Sequence, residues 1–197
     1  MRRAVLELSA RDNVMAQLAN RFGPCRIPAR TGHSHFAFLT RSILYQQLAG
    51  AAARTIHDRF AALLMGQVTA DGVLALTTGQ LRSAGVSENK TRAIQDLAQK
   101  AGELDLERIA RKEDEAIIER LTEVRGIGRW TAEMFLIFQL RRLDVWPTLD
   151  YGVRKGYQVA YGLRELPDPK RLLPLGDRFR PHRSVAAWYC WRAADEV

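Results

Sequence analysis

Leu121–Asp150 reads LTEVRGIGRWTAEMFLIFQLRRLDVWPTLD, and this stretch decides the fold. A helix end runs into Gly126-Ile127-Gly128, a second apolar stretch starts at Arg129, and a turn through Pro147-Thr148-Leu149 delivers Asp150. Glycines in such a reversal permit positive φ and let another backbone approach where a β-carbon would collide. The reversal also leaves the first N–H groups of the next helix pointing outward, a ready seat for a phosphate. Gly-x-Gly between helices is equally a plain turn, so the surrounding chain must separate the two readings.

Upstream, Glu113 to Glu123 (EDEAIIERLTE) is an amphipathic helix with acids at its start, which suits the helix dipole. Residues 70–103 hold short helices between the turns Thr78-Gly79 and Ala84-Gly85, and Ser87 caps SENKTRAIQDLAQKAG. Lys90 and Arg92 belong to an exposed helix face or touch phosphates. Phe36 to Leu64 forms one long helix or two abutting ones, with Gly50 as the break. A buried stripe is expected from Ile43, Leu44, Leu48, Ala51, Ala52, Ile56 and Phe60. The first twenty residues show helical spacing, with Ser9 or Asp12 as caps and Gly23-Pro24 as the stop. Residues 24–34 read as a loop. His33 and His35 lack a third ligand at useful spacing and read as surface or capping residues.

Downstream of Asp150, YGVRKGYQVAYGL, DPKRLLPLGDRF and RPHRSVAAWYCWRAADE each read as helix. No period-two run persists anywhere, so the expected fold class is all-α. The 197 residues can bury a real core as one large or two small domains. A net charge of +8 and a pI near 10.0 favour a polyanionic partner. Cys25 and Cys190 make neither a disulfide framework nor a cysteine metal cluster. No run approaches the ~18 apolar residues of a membrane helix. The expectation is a soluble, cytoplasmic chain, with a monomer as the simplest state.

Asp150 follows a proline turn and precedes a helix, which is the position of an N-cap. A helix start also favours a negative carboxylate. Beside a sugar, such a group can stabilise an oxocarbenium-like centre or orient water, as in glycoside hydrolysis.

Gly126-Ile127-Gly128-Arg129-Trp130-Thr131-Ala132 followed by Pro147-Thr148-Leu149-Asp150-Tyr151-Gly152 resembles the signature of the helix-hairpin-helix DNA glycosylase superfamily. ILYQQLAGAAA and RPHRSVAAWYCWR extend the resemblance to its 3-methyladenine DNA glycosylase II group over roughly residues 36–195. Arg125 is a departure, since many members carry proline there.

The resemblance implies two helical lobes with an active-site cleft between them. Residues 1–35 and 129–197 would form one lobe. Residues 36–128 would form the other, ending in the hairpin at about 121–131. It implies Asp150 as the catalytic carboxylate and Trp130, Met134, Tyr151 and Trp191 as the base pocket, with Trp188 and Tyr189 in the core. An electron-rich indole suits an alkylated, cationic base through stacking and cation–π attraction. Gln47 would fill the gap left by the extruded base. Arg125, Gly126, Gly128 and Arg129 would hold the DNA backbone, and the main-chain carbonyls of Thr122, Val124 and Ile127 would seat Na+ or K+.

Lyase members carry a lysine where this chain has Trp130, which implies a single-function glycosylase acting on double-stranded DNA with alkylated bases. Two cysteines cannot hold the iron–sulfur cluster of some relatives. About 35 residues precede the shared core, too few for the N-terminal β-rich domain that some members carry. The competing expectations are a non-catalytic DNA-binding module and a glycosylase/lyase for other lesions.

Overall fold

The computed structural model describes residues 1–28 and 32–196, and no strand occurs among them. The chain opens with α1 (Arg2–Arg11) and α2 (Asn13–Phe22). Of the two caps expected in the first twenty residues the structure uses Asp12, whose backbone is extended (φ −141°, ψ 113°) and whose carboxylate accepts the Met15 N–H at 3.0 Å, dividing the run into two helices. Side-chain capping here competes with helix continuation and wins. In the expected loop, residues 24–28 and 32–34 carry no regular element, and 29–31 lie outside the described residues.

α3 (His35–Tyr45) is capped by Ser34, which accepts the Ala37 N–H at 3.1 Å. His35 is not a surface residue: it is buried edge-on against Phe135, with ring centroids 5.3 Å apart. Gly50 does mark the break, since it opens α4 (Gly50–Leu63). Ile43, Leu44 and Phe60 are buried as expected and Ile56 is half-buried, whereas Leu48, Ala51 and Ala52 are exposed. The chain turns between the two helices, so the stripe that one continuous helix would bury is divided.

Then come α5 (Ala70–Leu74), α6 (Thr78–Ser83) and α7 (Glu88–Lys100), capped by Thr69, Thr77 and Ser87, with a full capping box between Thr77 and Gln80. α8 (Asp114–Thr122) leads into the hairpin. α9 (Arg129–Met134) passes into one turn of π-helix over Phe135–Gln139, a widening that the apolar run does not signal. α10 (Tyr151–Ala160), α11 (Pro169–Leu175) and α12 (Arg183–Ala194) complete the chain.

Two units result, a terminal one of Met1–Arg30 with Leu136–Val197 and a middle one of Thr31–Phe135. The boundary expected at 128/129 therefore falls at 135/136, and α9 stays with the hairpin. In the terminal unit α10 crosses α12 at contact distance, since a β-carbon on Gly156 would overlap the Cys190 carbonyl. Leu8, Met15, Phe179 and Tyr189 fill its core, and the Tyr189 hydroxyl donates to Gly23 O at 2.9 Å. In the middle unit α7 packs against α3, α5 and α6, burying Ile94 and Leu97 completely. Cys25 and Cys190 are buried free thiols. Among the described residues no helix is long and apolar enough to cross a membrane, and no group of three or more His, Cys, Asp or Glu could hold a metal ion.

Candidate active site and nucleic-acid interface

In the terminal unit the turn before α10 is built by Thr148 N–H on Trp146 O (2.9 Å) and Asp150 N–H on Pro147 O (3.0 Å). Upstream, Ser184 Oγ accepts the Val145 N–H (3.0 Å) and donates to Arg142 O (2.7 Å), while the Trp146 indole donates to Leu172 O (3.0 Å). The segment that carries the aspartate is thus fastened to α11 and α12 before it reaches position 150.

Asp150 is only 9% exposed. Its Oδ1 accepts the Val153 N–H, the N-cap bond expected from sequence, and also the Trp191 indole N–H, both at 2.9 Å. These two donors fix the plane of the carboxylate. The indole is backed by Phe138, stacked at 5.6 Å with 25° between the rings. Gly152 makes room for this arrangement, because a β-carbon there would lie 2.8 Å from Trp191 Cδ1 and 3.2 Å from Asp150 Oδ1. The flanking Leu149 and Tyr151 are exposed, so apolar surface borders the carboxylate on both sides in sequence.

The hairpin lies in the middle unit. α8 ends as Lys100 Nζ donates to Glu123 O at 2.7 Å, and Val124 and Ile127 are buried, joined by Ile127 N–H on Val124 O at 3.1 Å. The Arg125 N–H donates to Asp96 Oδ2 at 2.7 Å. Burial raises the Asp96 carboxyl pKa, but the Arg125 N–H and the Lys100 ammonium at 3.1 Å outweigh it and hold the group below its ordinary value. Proline has no N–H to make this bond, which gives the departure at Arg125 a structural use. Gly126 takes a left-handed φ of 77°, with α7 close beneath it: a β-carbon would sit 3.1 Å from Ala93 Cβ. Gly128, the N-cap of α9, faces open space.

Arg129 is otherwise engaged than expected. Its guanidinium forks onto both Glu115 oxygens (2.6 and 2.8 Å) and donates Nε–H to Glu133 at 3.1 Å. Those bonds raise its pKa further, and Glu115 in turn is held below the usual carboxylate range.

Trp130 and Met134 lie four apart on α9, Trp130 42% exposed and Met134 buried. They belong to the middle unit, whereas Asp150, Tyr151 and Trp191 belong to the terminal one. Gln47 is exposed at the turn after α3 and has a left-handed backbone, φ 55°. Lys90, read from sequence as an exposed residue, donates inward to Leu44 O (2.7 Å) and Gln46 O (2.8 Å), and burial pushes its ammonium pKa down. Sequence reasoning missed Phe138 behind the indole and Asp96 on α7, and for Gly152 and Lys90, which it named, it missed the supporting role. An acid and a base six apart on one amphipathic helix were the available signal for Lys90 and Asp96.

Residues 40–178 match the family described as HhH-GPD superfamily base excision DNA repair protein. The chain is 33% identical over 199 residues to "DNA-3-methyladenine glycosylase 1" of Schizosaccharomyces pombe, covering 98% of this chain and 87% of that protein. The solved structure of a 3-methyladenine DNA glycosylase of the same yeast, in complex with abasic DNA, superposes with a TM-score of 0.85 at 33% identity and covers 96% of this chain and 95% of its own. A DNA-3-methyladenine glycosidase from Bacillus halodurans superposes with a TM-score of 0.87 at 34% identity, over 97% and 88% of the two chains.

Proposed function

The chain belongs to the HhH-GPD superfamily of base excision DNA repair proteins, and from that premise we propose that it is a monofunctional glycosylase releasing alkylated, cationic purines of the 3-methyladenine type from duplex DNA. The observation that carries this reading is the Asp150 carboxylate, set at a helix start and held by the Trp191 indole.

The target base lies inside the duplex and must rotate out, at about a few kcal/mol, before chemistry can begin. The bond between the sugar C1′ and the base nitrogen then breaks, and its electron pair leaves on the base. Alkylation has already placed a positive charge there, so the departing base becomes neutral and needs no protonation. Asp150 stabilises the positive charge that develops on the sugar. Water adds to C1′ and gives up a proton, leaving an abasic site and the free base. Trp191, which donates to Asp150, offers a π face for a cationic ring. With Trp130 where lyase members place lysine, no amine is supplied there for a Schiff base.

DNA is held through its backbone by the hairpin, with Arg125, Gly126, Gly128 and the main chain of Arg129 at the phosphates. The carbonyls of Thr122, Val124 and Ile127 would hold a monovalent cation, which would add positive charge beside the DNA backbone. Val124 O accepts one hydrogen bond, from Ile127 N–H, and keeps a second lone pair for the ion.

The test is release of free bases from methylated duplex DNA by wild type and Asp150→Asn, with DNA binding measured at one stated salt concentration. Asparagine keeps an oxygen for the N-cap and removes the charge. Release lost with binding retained supports the reading; no release by the wild type overturns it. Borohydride should trap no covalent DNA adduct.

A further inference from the structure

We propose that Lys90 and Gln46 are positioning residues, which hold the Gln47 turn in register with the hairpin so that Gln47 enters the duplex at a fixed distance from the gripped phosphates. This rests on the reading of Gln47 as the residue that fills the space of the extruded base.

α3 ends at Tyr45, and the last carbonyls of a helix have no partner within it. Here the carbonyls of Leu44 and Gln46 both accept from the Lys90 ammonium, at 2.7 and 2.8 Å. Gln47 follows at once in a left-handed conformation, φ 55°, which a residue with a side chain adopts only where its surroundings impose it. Lys90 holds the carbonyls just before Gln47 from one side. From the other, Gln46 Nε2 donates to Gly126 O at 2.9 Å, in the hairpin itself. One turn of chain is therefore tied to both α7 and the hairpin, and Gln47, next in sequence, projects into solvent.

The same face of α7 carries the rest of the connection. Lys90, Ala93, Asp96 and Lys100 fall on one side of the helix. Lys90 holds the turn, Ala93 lies beneath Gly126, Asp96 accepts the Arg125 N–H and Lys100 donates to Glu123 O. Helix α7 thus sets the spacing between the residue that enters the base stack and the loop that holds the backbone. Lys90 sits partly out of water on neutral carbonyls, where it gains no carboxylate partner; that placement suits a device that fixes geometry.

The test compares wild type with Lys90→Met, Lys90→Arg, Gln46→Leu, Gln47→Ala and the double variant Lys90→Met/Gln47→Ala. Base displacement is read by the fluorescence of 2-aminopurine at the target position of a duplex, which requires no glycosylase activity. Base release is read in single turnover on methylated duplex and on the same strand alone. Lys90→Met is expected to lower the fluorescence rise and slow duplex release about tenfold, the scale of one charge-assisted hydrogen bond. Release from the single strand and duplex affinity should be unchanged, because neither needs the inserted side chain. Gln46→Leu should act in the same direction, Lys90→Arg should recover part of the loss, and the double variant should behave as Gln47→Ala does. Equal losses on duplex and single strand, or fully additive effects of Lys90→Met and Gln47→Ala, would overturn the proposal. So would normal 2-aminopurine displacement by Gln47→Ala. A protein that displaces 2-aminopurine in a Lys90-dependent way yet releases no alkylated base would keep this inference and lose the substrate assignment.

Discussion

Asp150 holds two hydrogen bonds on a single oxygen, one from its own helix and one from an indole 41 residues away, and Gly152 is what allows the second. The site therefore depends on a position with no side chain. In Gly152→Ala the new methyl would displace the Trp191 ring, since its nearest atom would stand 2.8 Å away. Trp191→Phe keeps a ring against Phe138 and removes the donor. Both variants are expected to lose roughly tenfold in base release, about one hydrogen bond to a charged group, with the thermal midpoint nearly unchanged. Single-turnover rates beside thermal melts check this, and a large fall in the midpoint with normal activity would contradict it. Asp150 is legible in the sequence because proline, cap and helix start are neighbours along the chain. Phe138 and the Trp191 N–H come from segments distant in sequence, and the use of Gly152 shows only where α12 brings Trp191 against it, for which no local pattern exists.

Among the elements, α7 and the hairpin share the Asp96 carboxylate. Burial alone would raise its pKa, but the Arg125 N–H and Lys100 reverse the sign and leave it lowered in the folded protein. A group lowered on folding contributes stability above its unfolded pKa and loses it as pH falls through the folded value. The hairpin should accordingly loosen below the ordinary aspartate value of about 3.9. Hydrogen exchange or urea unfolding followed from neutral to acid pH should show this step, and Asp96→Asn should flatten it while lowering stability at neutral pH. An unchanged acid profile in Asp96→Asn would refute the assignment. At this scale the sequence reads helix positions well, because caps and 3.6-residue spacing are local. It misjudges the exposure of Leu48, Ala51 and Ala52, which depends on a chain reversal. The π turn at Phe135–Gln139 is silent because its residues would suit an α-helix equally.

Across the whole molecule a charge of +8 calls for salt-dependent binding to a polyanion, yet several arginines already have partners. Arg129 is committed to Glu115 and Glu133, and Arg183 and Arg180 both reach Asp144. Arg129→Ala should thus leave the slope of log affinity against log salt unaltered, whereas removing a phosphate contact lowers it by about one. Its cost should appear in folding, at roughly 1 kcal/mol once solvent screening of a half-exposed side chain is allowed for. Titrations at several salt concentrations, with urea unfolding, separate the two. A polyanionic partner is legible in composition, but which cations face it is not, because ion pairing is settled only when distant segments meet.

The crossing at Gly156 carries a further consequence. Where α10 passes α12, the main chain of one helix rests directly on the carbonyl of Cys190 in the other, and one helix bears Asp150 while the other bears Trp191. If all twenty amino acids were installed at position 156 and the pool selected for survival under alkylating stress, glycine should be recovered almost alone. Alanine and serine would be lost along with the bulky residues, although the position lies six residues from the aspartate and touches no DNA in any step described above.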